Sequence, residues 1–277
     1  MGAVPGRPLI GTVGSGAYAY SVRPCHLVLL HGQPGLGADW QPVVGNLPAS
    51  VTALALDRPG HGSSPLPGGG LEINAAAVLE ALDARDIDRA VLVGHSYGGG
   101  VALQVAATAP ERVEALVLLA SVGPECLNIF DWLLAAPIAG AVTSWFAWQL
   151  TPPIARAVLR LLVRRGRRHP NWQVWGHTHW DNGPLWRTFL AEQRALVREA
   201  ESFAALAASI RAPVLVVTDP RDPLVPFKTA EALITVLPDA RLHLVKGAGH
   251  HLPLRVPDEV ARQITLFLET AEVEPAG

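Results

Sequence analysis

Short apolar runs alternate along the chain with longer segments whose apolar residues recur every three or four positions. The short runs are rich in valine and leucine and lie at 27–30, 52–56, 90–93, 114–120, 213–217 and 241–245. Runs of this length without polar alternation are typical of strands buried on both faces. The segments with helical spacing lie between or after them, at 72–84, 99–109, 227–237 and 257–270. This order predicts an α/β fold with a mostly parallel central sheet flanked by helices.

One region interrupts the alternation. Between residues 123 and 210 no run resembles a strand, and seven of the eight tryptophans lie there. We predict that residues 123–210 form a helical cap inserted into an α/β core made of residues 1–122 and 211–277.

The first part of this region is unusually apolar. Residues 132–155 carry no charge over a length that could cross a bilayer. Pro137, Gly140, Pro152 and Pro153 interrupt the stretch, and no second stretch like it exists. We therefore expect a cap segment and not a membrane span.

An arginine-rich run, residues 156–169, follows directly. Four of its arginines recur at spacings of three and four, which places them on one helical face: Arg156, Arg160, Arg164 and Arg167. A solvated face is the ordinary interpretation. The alternative is weak contact of the cap with a membrane surface.

Composition narrows the class of protein. The 277 residues suffice for one large α/β domain and would also allow two. Because 22 basic side chains stand against 24 acidic ones, nothing indicates a nucleic-acid partner. Two cysteines, Cys25 and Cys126, are too few for a disulfide framework, and we expect both to be buried. The N-terminal residues contain no continuous apolar signal segment, so we expect a cytoplasmic protein.

A serine stands between glycines where one predicted strand meets the next helix. Residues 94–98, GHSYG, form a GxSxG pattern at this junction, with the helix beginning near Tyr97. A sharp strand-to-helix turn of this kind holds the central side chain in a strained backbone conformation and exposes it, while a Cβ at either glycine would collide with backbone. The pattern makes Ser96 a candidate nucleophile.

A serine hydroxyl needs a base, and the base needs a carboxylate that orients it. His250, in a small-residue loop after the last strand run, is the candidate base, and we prefer it to the adjacent His251 because Gly249 allows a close approach.

The candidate acid follows the strand run at 213–217. Asp222 lies in a loop stiffened by two prolines, whereas Asp219 is so close to the strand that we expect it to cap the turn. Glu125 is a weaker alternative. The order serine, acid, histidine is the one that a nucleophile turn of this type requires.

Attack on a carbonyl creates an oxyanion, which backbone N–H groups usually stabilise. We expect one donor from Tyr97, directly after the serine, and a second from Gln33, in the loop HGQPG that follows the first strand run. The segment DRPGHGSS, residues 57–64, follows the second run and is interpreted as a scaffold turn beside the site.

Together these segments resemble the α/β-hydrolase fold family, in the order and strand contexts that this family shows: HGQPG at 31–35, DRPGHGSS at 57–64, GHSYGG at 94–99, the Asp222 loop, and GAGH at 247–250. The resemblance implies Ser96 as nucleophile, His250 as base, Asp222 as acid, Gln33 and Tyr97 as oxyanion donors, and a cap over the site. Serine at the nucleophile position implies ester, thioester, lactone, amide or related acyl chemistry.

We therefore expect a carboxylesterase-like serine hydrolase that cleaves an ester-like bond of a small, largely apolar substrate without a cofactor or a metal. Carbon–carbon bond hydrolysis, transacylation and cofactor-free perhydrolysis by the same residues stay open as alternatives, as does a binding protein without turnover.

Other polar and aromatic residues have simpler interpretations. His31, His61 and His95 are expected to be scaffolding. The histidines 169, 177 and 179 with Asp181 match no established zinc spacing. Some of the tryptophans in the predicted cap should pack in its own core and others should line the pocket, for which we select Trp132, Trp145, Trp148 and Trp186.

Overall fold

In the part of the chain that the structure describes, six parallel strands form a single sheet in the order β2-β1-β3-β4-β5-β6. The computed structural model describes residues 25–146 and 185–270, together with Gln149, Ala157, Leu161 and Arg164. The strands are β1 (Cys25–Leu30), β2 (Val51–Leu56), β3 (Ala90–His95), β4 (Val113–Leu119), β5 (Val214–Thr218) and β6 (Ala240–Leu244). Each coincides with one of the predicted runs, so the predicted parallel sheet is confirmed.

Helices follow the strands along the chain. They are α1 (Gln41–Val44), α2 (Leu71–Asp83), α3 (Tyr97–Thr108), α4 (Ile129–Ala135), α5 (Ala139–Phe146), α6 (Leu185–Glu199), α7 (Phe203–Ser209), α8 (Phe227–Val236), α9 (Leu252–Arg255) and α10 (Pro257–Thr270). Short 3₁₀ helices lie at Gly37–Trp40, Pro110–Arg112 and Ala200–Ser202. The four predicted helical segments correspond to α2, α3, α8 and α10.

The sheet is buried on both faces, which explains why its strands read as continuous apolar runs. Successive side chains of a strand point to opposite faces, so Val28 packs in one core cluster with Phe203 of α7. Leu27 packs in the other cluster with Ile264 of α10. At the edge of the sheet, Leu242 of β6 is partly exposed.

Helix α10 shows how the helical spacing produces this packing. Its buried apolar residues recur at three and four positions, at Val260, Ile264, Phe267 and Leu268. They form one stripe that covers the sheet, while the charged residues of the same helix face water.

Between β4 and β5 the described chain contains only helical elements, α4 to α7 and one 3₁₀ turn. Helix α7 falls within the predicted cap, yet Phe203 and Ala207 pack in the same core cluster as strands β1 and β3. The cap boundaries stay a prediction.

Within residues 25–146 and 185–270, no single helix is long and apolar enough to cross a membrane. Helices α4 and α5 have the length and apolar composition of a membrane span only when they are taken together, and they meet at a bend of 95°.

Candidate active site

Ser96 occupies a strained turn between β3 and α3. Its backbone has φ 53° and ψ −120°, a conformation that residues with a side chain rarely adopt. A Cβ at Gly94 would collide with the backbone of Gly98 and Gly99, and a Cβ at Gly98 would collide with the carbonyl of Leu30. The predicted turn conformation, and the predicted reason for its glycines, are confirmed.

Main-chain hydrogen bonds hold this turn in place. The Ser96 N–H donates to the carbonyl of Leu119 at 2.9 Å, and its carbonyl accepts from the N–H groups of Gly99 at 3.0 Å and Val122 at 3.1 Å. The Ser96 side chain does not cap α3. The hydroxyl is therefore not used to stabilise its own helix, and the backbone fixes its position.

The ring of His250 is hydrogen-bonded to the carboxylate of Asp222. His250 Nδ1 lies 2.7 Å from Asp222 Oδ2, and both side chains are buried. The other carboxylate oxygen accepts from the backbone N–H groups of Leu224 at 2.8 Å and Val225 at 3.1 Å. Since a carboxylate only accepts, Nδ1 of His250 carries a proton, which in the neutral ring makes Nε2 the acceptor.

Asp219 has a different set of partners. Its Oδ2 accepts from the Gly249 N–H at 2.6 Å, and its Oδ1 accepts from the Arg221 N–H at 2.9 Å. Burial alone would raise the pKa of Asp219, but these backbone donors hold it below its usual value. Asp219 thus secures the loop that precedes His250. Glu125, the third acidic candidate, lies at the surface with its Oε2 3.1 Å from Lys228 Nζ.

His95 holds the main chain at His250. Its Nε2 lies 2.9 Å from the His250 carbonyl, which can only accept, so Nε2 donates. Burial, followed by the nearby His250, lowers the pKa of His95 to about 3. His95 is therefore neutral at ordinary pH.

The loop after β1 passes directly over Ser96. A Cβ placed on Gly32 would lie 3.1 Å from Ser96 Cβ and 2.9 Å from His95 Nδ1, so only glycine fits there without displacement. The next residue, Gln33, donates from its side-chain Nε2 to the carbonyl of Phe189 in α6 at 2.7 Å. Helix α6 is thereby attached to this loop.

A cavity of about 200 Å³ opens beside these residues. Its wall includes Gly32, Gln33, His95, His250 and His251. Five further lining residues were not identified from the sequence, because they lie in loops and short helices outside any motif: Asp39, Trp40, Leu224, Pro253 and Leu254.

Three of the four selected tryptophans lie in the described part of the chain, and none of them lines this cavity. Trp132 is 56% exposed and Trp145 is 44% exposed. Trp186 is partly buried, with the Arg187 guanidinium 5.3 Å from its ring centroid. Trp148 lies outside the described residues. A role for these tryptophans in substrate binding stays a prediction.

The described residues contain no group of three or more His, Cys, Asp or Glu side chains that could hold a metal ion. His169, His177, His179 and Asp181 lie outside the described residues. Cys25 and Cys126 are buried and unbridged, as predicted for their burial. Burial raises the pKa of the Cys126 thiol to about 11.

The family model described as "Alpha/beta hydrolase family" matches residues 27–263. The chain belongs to the alpha/beta hydrolase family. The resemblance inferred from the motifs is confirmed.

Individual relatives of this alpha/beta hydrolase have different activities. It is 32% identical over 85% of its length to a pimeloyl-[acyl-carrier protein] methyl ester esterase of Aromatoleum aromaticum, and the match covers 94% of that protein. It is 46% identical over 35% of its length to a dihydrolipoyllysine-residue acetyltransferase component of an acetoin cleaving system from Pseudomonas putida, of which the match spans only 27%.

Among solved structures, a thermophilic esterase from Thermogutta terrifontis superimposes on the alpha/beta hydrolase with a TM-score of 0.73. The two share 19% sequence identity, and the match covers 95% of this chain and 98% of the esterase. This likeness shows a shared fold.

Proposed function

We propose that this alpha/beta hydrolase is a carboxylesterase-like serine hydrolase that cleaves an ester-like bond of a small, largely apolar substrate through an acyl-enzyme. The observation that carries the proposal is the buried hydrogen bond of 2.7 Å between His250 Nδ1 and Asp222 Oδ2, next to the strained turn at Ser96. A carboxylate that fixes the tautomer of a histidine beside an activated serine is the arrangement that acyl transfer requires.

In the first step, His250 Nε2 takes the proton of the Ser96 hydroxyl while Oγ attacks the substrate carbonyl. The tetrahedral intermediate collapses when the protonated His250 donates that proton to the leaving oxygen, which leaves an ester on Ser96. Water then attacks this acyl-enzyme with His250 as base, and the acid is released as Ser96 Oγ recovers its proton.

Ser96 Oγ makes no hydrogen bond to a described side chain in this structure. Catalytic hydrogen bonds are often long without substrate and shorten in the bound complex. The mechanism accordingly requires the Ser96–His250 bond to form when substrate occupies the site.

The N–H groups of Gln33 and Tyr97 are the proposed oxyanion donors. Neither N–H donates to an acceptor within the described part of the chain. Tyr97 directly follows Ser96, and Gln33 lies in the loop that passes over Ser96. Preorganised backbone donors of this kind are worth roughly 3–4 kcal/mol each in the transition state.

The cavity supports a small substrate. Its volume of about 200 Å³ lies below the roughly 300–1,000 Å³ of pockets that take drug-sized ligands. Trp40, Leu224 and Leu254 give its wall an apolar character, which suits a short acyl chain or alcohol. The ester substrate in the name of the Aromatoleum aromaticum relative is consistent with this chemistry.

Weak contact of the cap with a membrane surface is part of the proposal. Helices α4 and α5 carry large apolar side chains that are at least 44% exposed, among them Ile129, Phe130, Val142 and Trp145. The arginine-rich run at 156–169, mostly outside the described residues, follows them in the sequence. Flotation with anionic vesicles tests this contact, and absence of the protein from the vesicle fraction would refute it.

Hydrolysis of p-nitrophenyl esters of increasing chain length tests the reaction and the size of the pocket together. We expect the highest kcat/KM on short esters, and Ser96→Ala to lower kcat on the order of a million-fold. Activity retained in Ser96→Ala would refute the proposal.

A further inference from the structure

A buried ionic cluster connects helix α6 to the core beside the candidate site. Glu192 of α6 is fully buried and pairs with the guanidinium of Arg58, which is 1% exposed. The Nε2 of His61 lies 3.3 Å from the same carboxylate. Burying a charged group costs free energy unless its hydrogen-bonding atoms all have partners. The other hydrogen bonds of Arg58 therefore show which part of the core this cluster holds in place.

Arg58 directs two of its donors at the loop that carries Gln33. Its Nε donates to the carbonyl of His31 at 2.9 Å, and its Nη2 donates to the carbonyl of Gly32 at 2.9 Å. The ring of His31 adds a second donor to the Gly32 carbonyl, since its Nε2 accepts from the Arg58 N–H and its Nδ1, at 2.8 Å, therefore carries the proton.

The Gly32 carbonyl and the Gln33 N–H belong to one peptide group. This group is planar, and in a trans peptide its C=O and N–H point in opposite directions. The Gly32–Gln33 bond is not among the cis peptides of the structure. Donors that fix the Gly32 oxygen therefore also fix the direction of the Gln33 N–H. A positive charge at the oxygen polarises the peptide and strengthens the N–H as a donor.

The same guanidinium contacts the second proposed oxyanion donor. The Cζ of Arg58 lies 4.9 Å from the centroid of the Tyr97 ring, within the range of a cation–π contact. One side chain thus contacts the ring of Tyr97 and the carbonyl of the peptide group that carries the Gln33 N–H.

Helix α6 helps to hold Arg58 in place, together with Asn74 of α2, whose Oδ1 accepts from Arg58 Nη1 at 2.9 Å. Burial alone would raise the pKa of Glu192, but Arg58 and His61 lower it, so the carboxylate is ionised. Phe189, one turn earlier in α6, accepts from the Gln33 side chain at 2.7 Å. The helix is therefore attached to the loop of Gln33 directly and also through Arg58.

We propose that Arg58, held by Glu192 of helix α6, is a positioning residue that aims and polarises the Gln33 N–H toward the oxyanion. This inference rests on the proposed function. It makes helix α6 a determinant of transition-state stabilisation as well as a covering element.

Glu192→Gln tests this role, and Glu199→Gln is the matched control. Glu199 lies on the same helix and also accepts from core backbone, the Leu71 N–H at 3.1 Å, but it does not contact Arg58. With a p-nitrophenyl ester that the wild type hydrolyses, we expect Glu192→Gln to lower kcat about 10- to 100-fold, less than the loss of a whole oxyanion donor. The KM should stay within about threefold.

Affinity for a trifluoromethyl ketone that mimics the tetrahedral intermediate should fall by the same factor as kcat, because both depend on the oxyanion donors. A merely structural role would not change inhibitor affinity relative to KM. Glu199→Gln should match the wild type within about threefold in all three quantities.

A folded Glu192→Gln variant that equals Glu199→Gln in kcat and inhibitor affinity would overturn the inference. Should Glu192→Gln not fold, Arg58→Lys decides, because one ammonium keeps the charge but cannot replace the planar fork that bonds both carbonyls; unchanged kcat there would also overturn it. A wild type that neither hydrolyses esters nor reacts with a fluorophosphonate would instead refute the proposed function itself.

Discussion

The ring of His95 donates a hydrogen bond from Nε2 to the main-chain carbonyl of His250 across 2.9 Å. The residue before the candidate nucleophile therefore holds the backbone of the candidate base. Because this bond uses the neutral ring and burial lowers the pKa of His95 to about 3, protonation of His95 opposes the folded state.

The first prediction concerns stability at acidic pH. The pKa of His95 in the folded state is below its unfolded value of 6.5. The free energy of unfolding therefore decreases as the pH falls from about 6.5 toward 3. His95→Gln keeps a donor and removes the titration. Relative to this variant, the wild type should lose about 2 kcal/mol of unfolding free energy between pH 7.5 and pH 5, measured by urea denaturation. Parallel pH profiles for the two proteins would contradict this.

The second prediction separates the two aspartates after β5. Asp222→Asn replaces the acceptor of the His250 Nδ1 proton with an amide that can donate, which favours the wrong tautomer. We expect kcat to fall on the order of ten-thousand-fold. Asp219→Asn should stay within about tenfold of the wild type, since Asp219 bonds only backbone groups. If steady-state kinetics gave the same loss of kcat in Asp222→Asn and Asp219→Asn, Asp222 would have no special role in orienting His250.

Third, Gly98 should not tolerate a side chain. A Cβ there would collide with the carbonyls at the end of β1, next to the loop of Gln33. We expect Gly98→Ala to cost about 1–3 kcal/mol of stability and to reduce kcat more than tenfold. Gly45→Ala is the control, because the nearest atom to the added Cβ, the carbonyl oxygen of Gln41, would lie 3.4 Å away. Wild-type kinetics and melting in Gly98→Ala would refute the close approach.

Fourth, the cavity should set substrate length. Leu224 lines it, so Leu224→Trp should narrow the space and raise the preference for acetate over hexanoate esters at least tenfold in kcat/KM. Leu244→Trp on the edge strand is the control, since Leu244 is also partly exposed but does not line the cavity. An unchanged preference in Leu224→Trp would place the acyl chain elsewhere.

Local patterns were sufficient to predict the sheet and the turn at Ser96, because a strand buried on both faces and a nucleophile turn each depend on adjacent residues. The start of helix α3 was less evident from spacing. The helix begins at Tyr97, but the spacing of apolar residues indicated a helix only from residue 99. Gly98, Gly99 and Gly100 have low helix propensity, and tertiary packing overrides this low propensity.

The contacts of helix α6 could not be predicted in this way. Glu192 and Arg58 are 134 positions apart, and neither lies in a motif that indicates the other. Trp40 lines the cavity although it is the one tryptophan outside the predicted cap. Such relationships depend on how distant segments pack, which a single sequence does not encode locally.

The central claim is that Ser96 is a nucleophile activated by His250. Reaction of the wild type with a fluorophosphonate, followed by peptide mass mapping, tests it most directly. We predict one adduct, on the peptide that contains Ser96, formed much more slowly in His250→Ala and absent in Ser96→Ala. An enzyme that hydrolyses esters while its Ser96 stays unlabelled, or that is labelled equally fast without His250, would contradict the claim.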